Sequence, residues 1–153
     1  FVNSQPIIVK KVRDMDPNLY IQILGVIFIF AGIMIRLGIW KGWYWRSRGG
    51  GFAYIPMGIV LILYTYISEM QAIGGYQYYA YIGIFLIFIG LTVYFSLKPP
   101  AWMKPKWVKW VEKHPKSVVK AMKAAALEDE LDWKGNLEDE ESVDKLAKKY
   151  RSK

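Results

Sequence analysis

The chain has 153 residues, of which 54% are hydrophobic and 16% aromatic, and this composition excludes a disordered tail or linker protein. The net charge is +8, but the charges are placed unevenly, since 28 consecutive uncharged residues separate Glu69 from Lys98. With no cysteine and one histidine, the sequence excludes iron–sulfur clusters, cysteine zinc sites, disulfides and thiol catalysis.

Three apolar windows are long enough to cross a bilayer, which takes about 20 residues. They cover roughly residues 19–40, 52–72 and 77–97. We expect Asp16 to cap the first helix and Pro17 to lie in its first turn. We also expect the first window to remain in the mature protein, because no small-residue cleavage site follows it. The sequence therefore predicts an all-α integral membrane protein with three transmembrane helices.

The connection between the second and third windows is short, rich in tyrosine and free of Lys and Arg. Such a link predicts an antiparallel helical hairpin. The resulting organisation is an N-terminal segment over 1–18, a three-helix domain over 19–97 and a charged, soluble, partly helical tail over 98–153.

The tail carries its charge in blocks of alternating sign. The balance is +7 over 98–127, −7 over 128–141 and +4 over 142–153. Ser117 and Ser142 are expected to cap two short helices. Because the tail has little apolar surface, we expect a membrane surface or another protein to order it.

The distribution of Lys and Arg predicts the orientation. Nine positive residues follow the first and third windows, whereas three precede the first window and none lies in the tyrosine-rich hairpin. By the positive-inside rule, the N-terminus faces outward and the C-terminus inward. The expected location is a prokaryotic cytoplasmic membrane or the membrane of an energy-converting organelle.

Glycines recur seven residues apart in two windows, as Gly25 and Gly32 in the first and as Gly83 and Gly90 in the third. Residues seven apart share one helix face, and small residues there let another helix approach closely. These four glycines are the predicted helix-packing residues. The alternatives are that glycine is simply common in membrane helices, or that the two windows arose by duplication.

Tryptophan and basic residues cluster after the first and third windows, as expected at a membrane–water boundary. A segment over about 104–113 is predicted to form an amphipathic helix in the plane of the interface, with Met103, Trp107, Trp110 and Val111 on one face. The predicted lipid and interface residues are Arg36, Trp40, Lys41, Trp43, Trp45, Arg46, Arg48, Trp102, Lys104, Lys106, Trp107, Lys109, Trp110 and Lys113. Nucleic-acid binding is the alternative for this pattern, but its position beside a membrane favours anionic lipid.

Two titratable residues invite a functional interpretation. His114 could bind haem or a metal, but a single histidine in a lysine-rich stretch is more typical of a solvated side chain. Glu69 is the only acidic residue between Asp16 and Glu112. A carboxylate inside a membrane would suggest an ion path, but the end of a window favours an exposed interfacial position.

These observations together predict a small, non-catalytic accessory subunit of a larger membrane complex, such as a respiratory, photosynthetic or other energy-converting assembly. Its expected partners are larger integral membrane subunits, anionic lipids and a peripheral protein bound by the tail, with no nucleic acid and no cofactor. The alternative is a small oligomeric transporter or channel, with Glu69, Gln22 and Arg36 near its pathway. An enzyme is not expected, because no nucleophile-and-base or metal-ligand pattern is visible.

Overall fold

The computed structural model describes residues 16–46, 50–128 and 137–151, and all regular structure in these ranges is helical. The all-α class is thereby confirmed for this part of the chain, whereas most of the predicted N-terminal segment lies outside it. The α-helices are α1 (Pro17–Arg36), α2 (Gly42–Arg46), α3 (Tyr54–Thr65), α4 (Ile67–Ile73), α5 (Gly75–Leu97), α6 (Lys106–Glu112), α7 (Lys116–Leu127) and α8 (Glu140–Arg151), with a 3₁₀-helix over Gly50–Ala53.

Two helices, α1 with 20 residues and α5 with 23, are long and apolar enough to cross a membrane. A third candidate span consists of Gly51–Thr65 together with α4, if this bent pair is counted as one. The architecture is therefore compatible with membrane insertion.

Local signals set both ends of α1. The Asp16 carboxylate accepts a hydrogen bond of 2.9 Å from the backbone N–H of Asn18, and Pro17 begins the helix, as predicted. At the other end, Gly38 has a φ of 77°, and the N–H of Ile39 donates to the carbonyl of Met34 at 3.1 Å. This pattern is a Schellman motif, and it ends the helix several residues before the predicted limit at residue 40.

The second predicted window is not one straight helix, because the axis bends by 49° between α3 and α4, at Tyr66. The Thr65 hydroxyl donates to the carbonyl of Ile62 at 2.7 Å and accepts a hydrogen bond of 3.1 Å from the Gln22 amide nitrogen. The Tyr81 hydroxyl donates to the carbonyl of Leu63. A threonine that bonds back to its own helix bends it, and the side chains from α1 and α5 stabilise the bend.

The directions of the three long segments follow from their contacts. Gln22 near the start of α1 meets Thr65 at the end of α3, so these two helices are antiparallel. Tyr81 near the start of α5 bonds to α3 near its end, while Phe95 near the end of α5 packs against the cluster that contains Phe52. Helices α1 and α5 therefore run in the same direction, and α3 runs against both.

After α5, the helices α6, α7 and α8 form a compact unit that we call the tail bundle. Its buried core includes Val108, Val111, Met122, Val143 and Leu146. The side chains of Tyr44 and Trp45, on α2, belong to the same core. The sequence predicted that a membrane or another protein would order the tail, and in the structure the tail helices share a core with the aromatic residues of α2.

The helix caps of the tail bundle differ from the prediction. Asp139, and not Ser142, caps α8, since the N–H of Ser142 donates to the Asp139 carboxylate at 2.7 Å. The backbone hydrogen bond lowers the pKa of Asp139, because it stabilises the charged form. Helix α7 begins after Pro115, so Ser117 lies inside the helix and does not cap it.

Candidate interaction surfaces

The first pair of predicted glycines lies in a tight contact between α1 and α3. A Cβ atom on Gly25 would lie 2.8 Å from the carbonyl oxygen of Gly58, and one on Gly32 would lie 2.5 Å from Cγ1 of Ile55. Contacts this short leave no space for a side chain. The interface between α1 and α3 therefore depends on glycine at these positions.

The second pair of predicted glycines lies on an open face. A Cβ atom on Gly83 or on Gly90 would have nothing within 4 Å in the described part of the chain. No residue of α5 is buried, although the helix has the same hydropathy as α1. The two glycine pairs resemble each other in sequence, but only the first has a partner helix in this structure.

The predicted interface tryptophans fall into two groups. Trp40 and Trp102 are 48% and 61% exposed, whereas Trp45 and Trp107 are 2% and 4% exposed. Trp43 and Trp110 are partly buried against the core of the tail bundle. The interface assignment is therefore corrected for Trp45 and Trp107, whose rings contact protein.

The predicted amphipathic helix forms as α6, but its apolar face points inward. Trp107 packs against the ring of Tyr44 with 5.3 Å between centroids, and Val111 is fully buried. Met103 is buried in a second cluster with Ile35 and Phe52. The face that was expected to contact lipid thus joins the tail bundle to the ends of the long helices.

The exposed boundary residues meet where α1 and α5 end. The guanidinium carbon of Arg36 lies 5.3 Å from the centroid of the Trp102 ring, within the range of a cation–π interaction. The same ring makes an edge-on contact with Phe95, at 6.1 Å. Arg36 is therefore held beside an exposed tryptophan at the level where both helices stop.

Two of the other predicted basic residues have acidic partners among the described residues. The Lys104 ammonium lies 2.5 Å from Glu112, and Lys113 pairs with Glu140. Lys106, Lys109 and Arg46 are exposed, and Lys41 is half-buried. Arg48 lies outside the described residues.

The two titratable candidates lie in different parts of the fold. Glu69 lies in the first turn of α4 and is exposed, beside the turn that leads into α5. His114 lies between α6 and α7, with Nε2 3.1 Å from the carboxylate of Asp144. Within residues 16–46, 50–128 and 137–151, no group of three or more His, Cys, Asp or Glu residues is placed to hold a metal ion.

Sequence reasoning missed the residue at the centre of the α1–α3 contact, which is Gly58. A Cβ atom on this residue would clash with the carbonyl oxygen of Gly25 and would lie 2.7 Å from Cγ1 of Ile29. The signal was present, because Gly51 and Gly58 repeat the same spacing of seven residues. Gly51 is also crowded, since a Cβ atom there would lie 2.7 Å from Cε3 of Trp43.

Comparison with known proteins gives no match: no family model matches the chain, and neither a curated protein nor a solved structure is significantly similar to it.

Proposed function

We propose that this chain is a small, non-catalytic subunit of a larger membrane complex, which it joins through the open face of α5. The observation that carries the proposal is the contrast between the two glycine pairs. Gly25 and Gly32 are covered by α3, whereas Gly83 and Gly90 have nothing within 4 Å in the described residues. In lipid, helices associate through close packing at small residues, so the uncovered pair is suited to a helix of another subunit.

The proposal treats the chain as crossing the membrane three times. Helices α1 and α5 run in the same direction, and both end close to the start of the tail bundle: a Cβ atom on Gly38 would lie 3.4 Å from the Trp107 ring, and Phe95 contacts Trp102, which precedes α6. Two parallel crossings require a return crossing between them. The bent pair of α3 and α4 supplies it, and the carbonyl groups of Ile62 and Leu63 beside the bend accept hydrogen bonds from side chains.

Anionic lipid is part of the proposed environment. Arg36, Trp40 and Trp102 are exposed at the end of the long helices, where a headgroup phosphate would meet the guanidinium and the indole rings would lie at headgroup depth. This role is assigned to the exposed residues only, because Trp45 and Trp107 are enclosed by protein.

The test is a native gel of mildly solubilised membranes that carry the wild-type chain or Gly90→Leu. We expect the wild type to migrate in a species much larger than its 17.8 kDa mass, and Gly90→Leu to shift toward the free chain. A Cβ atom at Gly90 would have nothing within 4 Å in the described residues, so loss of the large species in this variant would report on contact with the partner.

Ile87→Leu is the matched control, since Ile87 is an exposed residue of α5 and the substitution conserves volume. This variant should migrate like the wild type. A wild-type chain that migrates as a free species, with all variants alike, would contradict the proposal.

The bend at Tyr66 is the one observation that favours a transporter, because broken helices line the substrate sites of many transporters. Here, however, the Thr65 hydroxyl and the Gln22 amide bond to each other, and Tyr81 bonds to the carbonyl of Leu63. These polar groups therefore form hydrogen bonds within the chain. Ion flux in liposomes that contain only this chain would favour the transporter over the subunit.

A further inference from the structure

Helix α7 presents two different faces. Val118, Val119 and Met122 point into the core of the tail bundle. The opposite side borders a shallow groove of about 510 Å³, which we call the lysine groove. It is lined by Lys116, Lys120, Lys123, Ala124 and Leu127.

The lysines of this groove differ from others in the tail bundle. Lys104, Lys113 and Lys145 each pair with a glutamate, whereas Lys116, Lys120 and Lys123 make no ion pair with another described residue. At spacings of four and three residues, their side chains follow one stripe along the helix. The groove therefore concentrates three positive charges on a helix whose other side is fixed in a core.

The composition of the groove favours a protein over a membrane surface. Helices that lie on membranes bury bulky apolar and aromatic residues. Among the described residues that line the lysine groove, Leu127 is the single large apolar one, 53% exposed, and none is aromatic. Its row of lysines is complementary in charge to a helix with acidic residues at the same spacing. Ala124 and Leu127 offer a small apolar contact for one apolar residue of that helix.

We propose that the lysine groove docks an acidic, helical segment of a peripheral protein. The inference rests on the proposed function as a subunit of a larger complex and on the sequence-based expectation that the tail binds a peripheral protein, and it assigns that binding to one side of α7. Interfaces of this kind gain specificity and association rate from charge complementarity, so the binding is expected to weaken with salt.

The probe is a fluorescein-labelled, alanine-rich peptide of about 15 residues, with glutamates at the spacing of the lysines and one leucine. Its binding to the full chain in non-ionic detergent micelles is measured by fluorescence anisotropy. The wild type should bind it, and Lys120→Gln/Lys123→Gln should bind about 2- to 30-fold more weakly, as expected for two exposed ion pairs. A peptide with glutamine in place of glutamate should bind neither protein.

Lys106→Gln/Lys109→Gln is the matched control, because it removes the same charge from exposed positions of α6. This control should retain the wild-type affinity. Equal weakening by both double variants, or no binding of the glutamate peptide to the wild type, would overturn the inference. Weaker binding of soluble, short-chain phosphatidylglycerol to Lys120→Gln/Lys123→Gln in the same micelles, without loss of peptide binding, would also overturn it and assign the groove to lipid.

The native gel separates this inference from the proposed function. If the groove variants retain the large species but bind the peptide like the wild type, the docking inference fails and the subunit proposal stands. If the wild type migrates as a free chain yet binds the peptide through Lys120 and Lys123, the docking inference is supported and the subunit proposal fails.

Discussion

Gly25 and Gly58 lie back to back across the contact between α1 and α3, each in the space that the side chain of the other would need. A Cβ atom on Gly25 would lie 2.8 Å from the carbonyl oxygen of Gly58, and the reverse contact is closer still. Backbones that approach this closely cannot move apart locally without losing packing along both helices. The pair therefore fixes the position of α3 on α1.

Gly58→Leu is expected to lower the free energy of unfolding by about 1–3 kcal/mol or more, because the new side chain must displace the backbone of α1. The measurement is thermal unfolding in detergent micelles, followed by circular dichroism. Gly83→Leu is the control, since nothing lies within 4 Å of that position, and it should unfold like the wild type. Equal destabilisation by the two variants would contradict the assigned contact.

Trp45→Ala should loosen the tail bundle, although Trp45 precedes it by many residues in the chain. Removal of a buried tryptophan costs about 3–5 kcal/mol, and this ring is 2% exposed within the core. We expect faster amide hydrogen exchange in α7 and α8. Trp40→Ala, at a ring that is 48% exposed, should leave that exchange unchanged. Identical exchange in the two variants would show that α2 does not complete the core.

The start of α8 should be sensitive to acid. The hydrogen bond from the Ser142 backbone N–H lowers the pKa of Asp139 below its ordinary value of 3.8. The stabilisation is therefore fully present above pH 3.8 and is lost as the pH falls through the lower pKa of the folded state. The protection of the Ser142 amide against hydrogen exchange, measured across this pH range, should therefore fall at its acidic end.

Asp139→Asn is the control for this titration, because asparagine also caps helices but does not ionise in this range. The variant should keep α8 at neutral pH and lose the acid-dependent change at Ser142. If the wild type and Asp139→Asn respond to acid alike, another group controls the start of the helix.

Single cysteines can test the orientation, since the chain has none of its own. With the N-terminus outside and the C-terminus inside, Gln77→Cys should react with an impermeant maleimide in right-side-out vesicles, and Ser117→Cys should be protected. Both positions are exposed in the structure. The reverse labelling pattern would show the opposite orientation, with the C-terminus outside.

Local signals explain why the sequence predicted some helix limits well. Asp16 and Pro17 act within one turn of α1, and α5 ends close to the predicted residue 97 because two prolines follow. The bend at Tyr66 was not predictable in this way. One of the hydrogen bonds that stabilise it comes from Gln22, which is 43 residues from Thr65 in the chain and is brought to it by the packing of α1 on α3.

The prediction that the apolar face of α6 contacts lipid was wrong for a similar reason, because the residues that cover this face are distant in the sequence. The pattern of Met103, Trp107 and Val111 correctly indicated an apolar helix face, but periodicity does not state what covers that face. For Trp107 and Val111 the cover includes Tyr44 and Trp45, and for Met103 it includes Ile35 and Phe52. Trp45 and Trp107, which were both predicted to face the membrane interface, instead lie in the same core.

The shared core also constrains the order in which the protein can be made. Tyr44 and Trp45 leave the ribosome before α3, whereas Leu146 leaves after every long helix has been synthesised. Because domains fold as their parts emerge, the core around the aromatic side chains of α2 cannot be completed until α8 has been synthesised. A chain that stops early, or whose α3 to α5 segment fails to insert, keeps these side chains exposed. Closure of this core thus requires that α8 has been synthesised, and an open core gives chaperones and proteases an exposed aromatic surface to recognise.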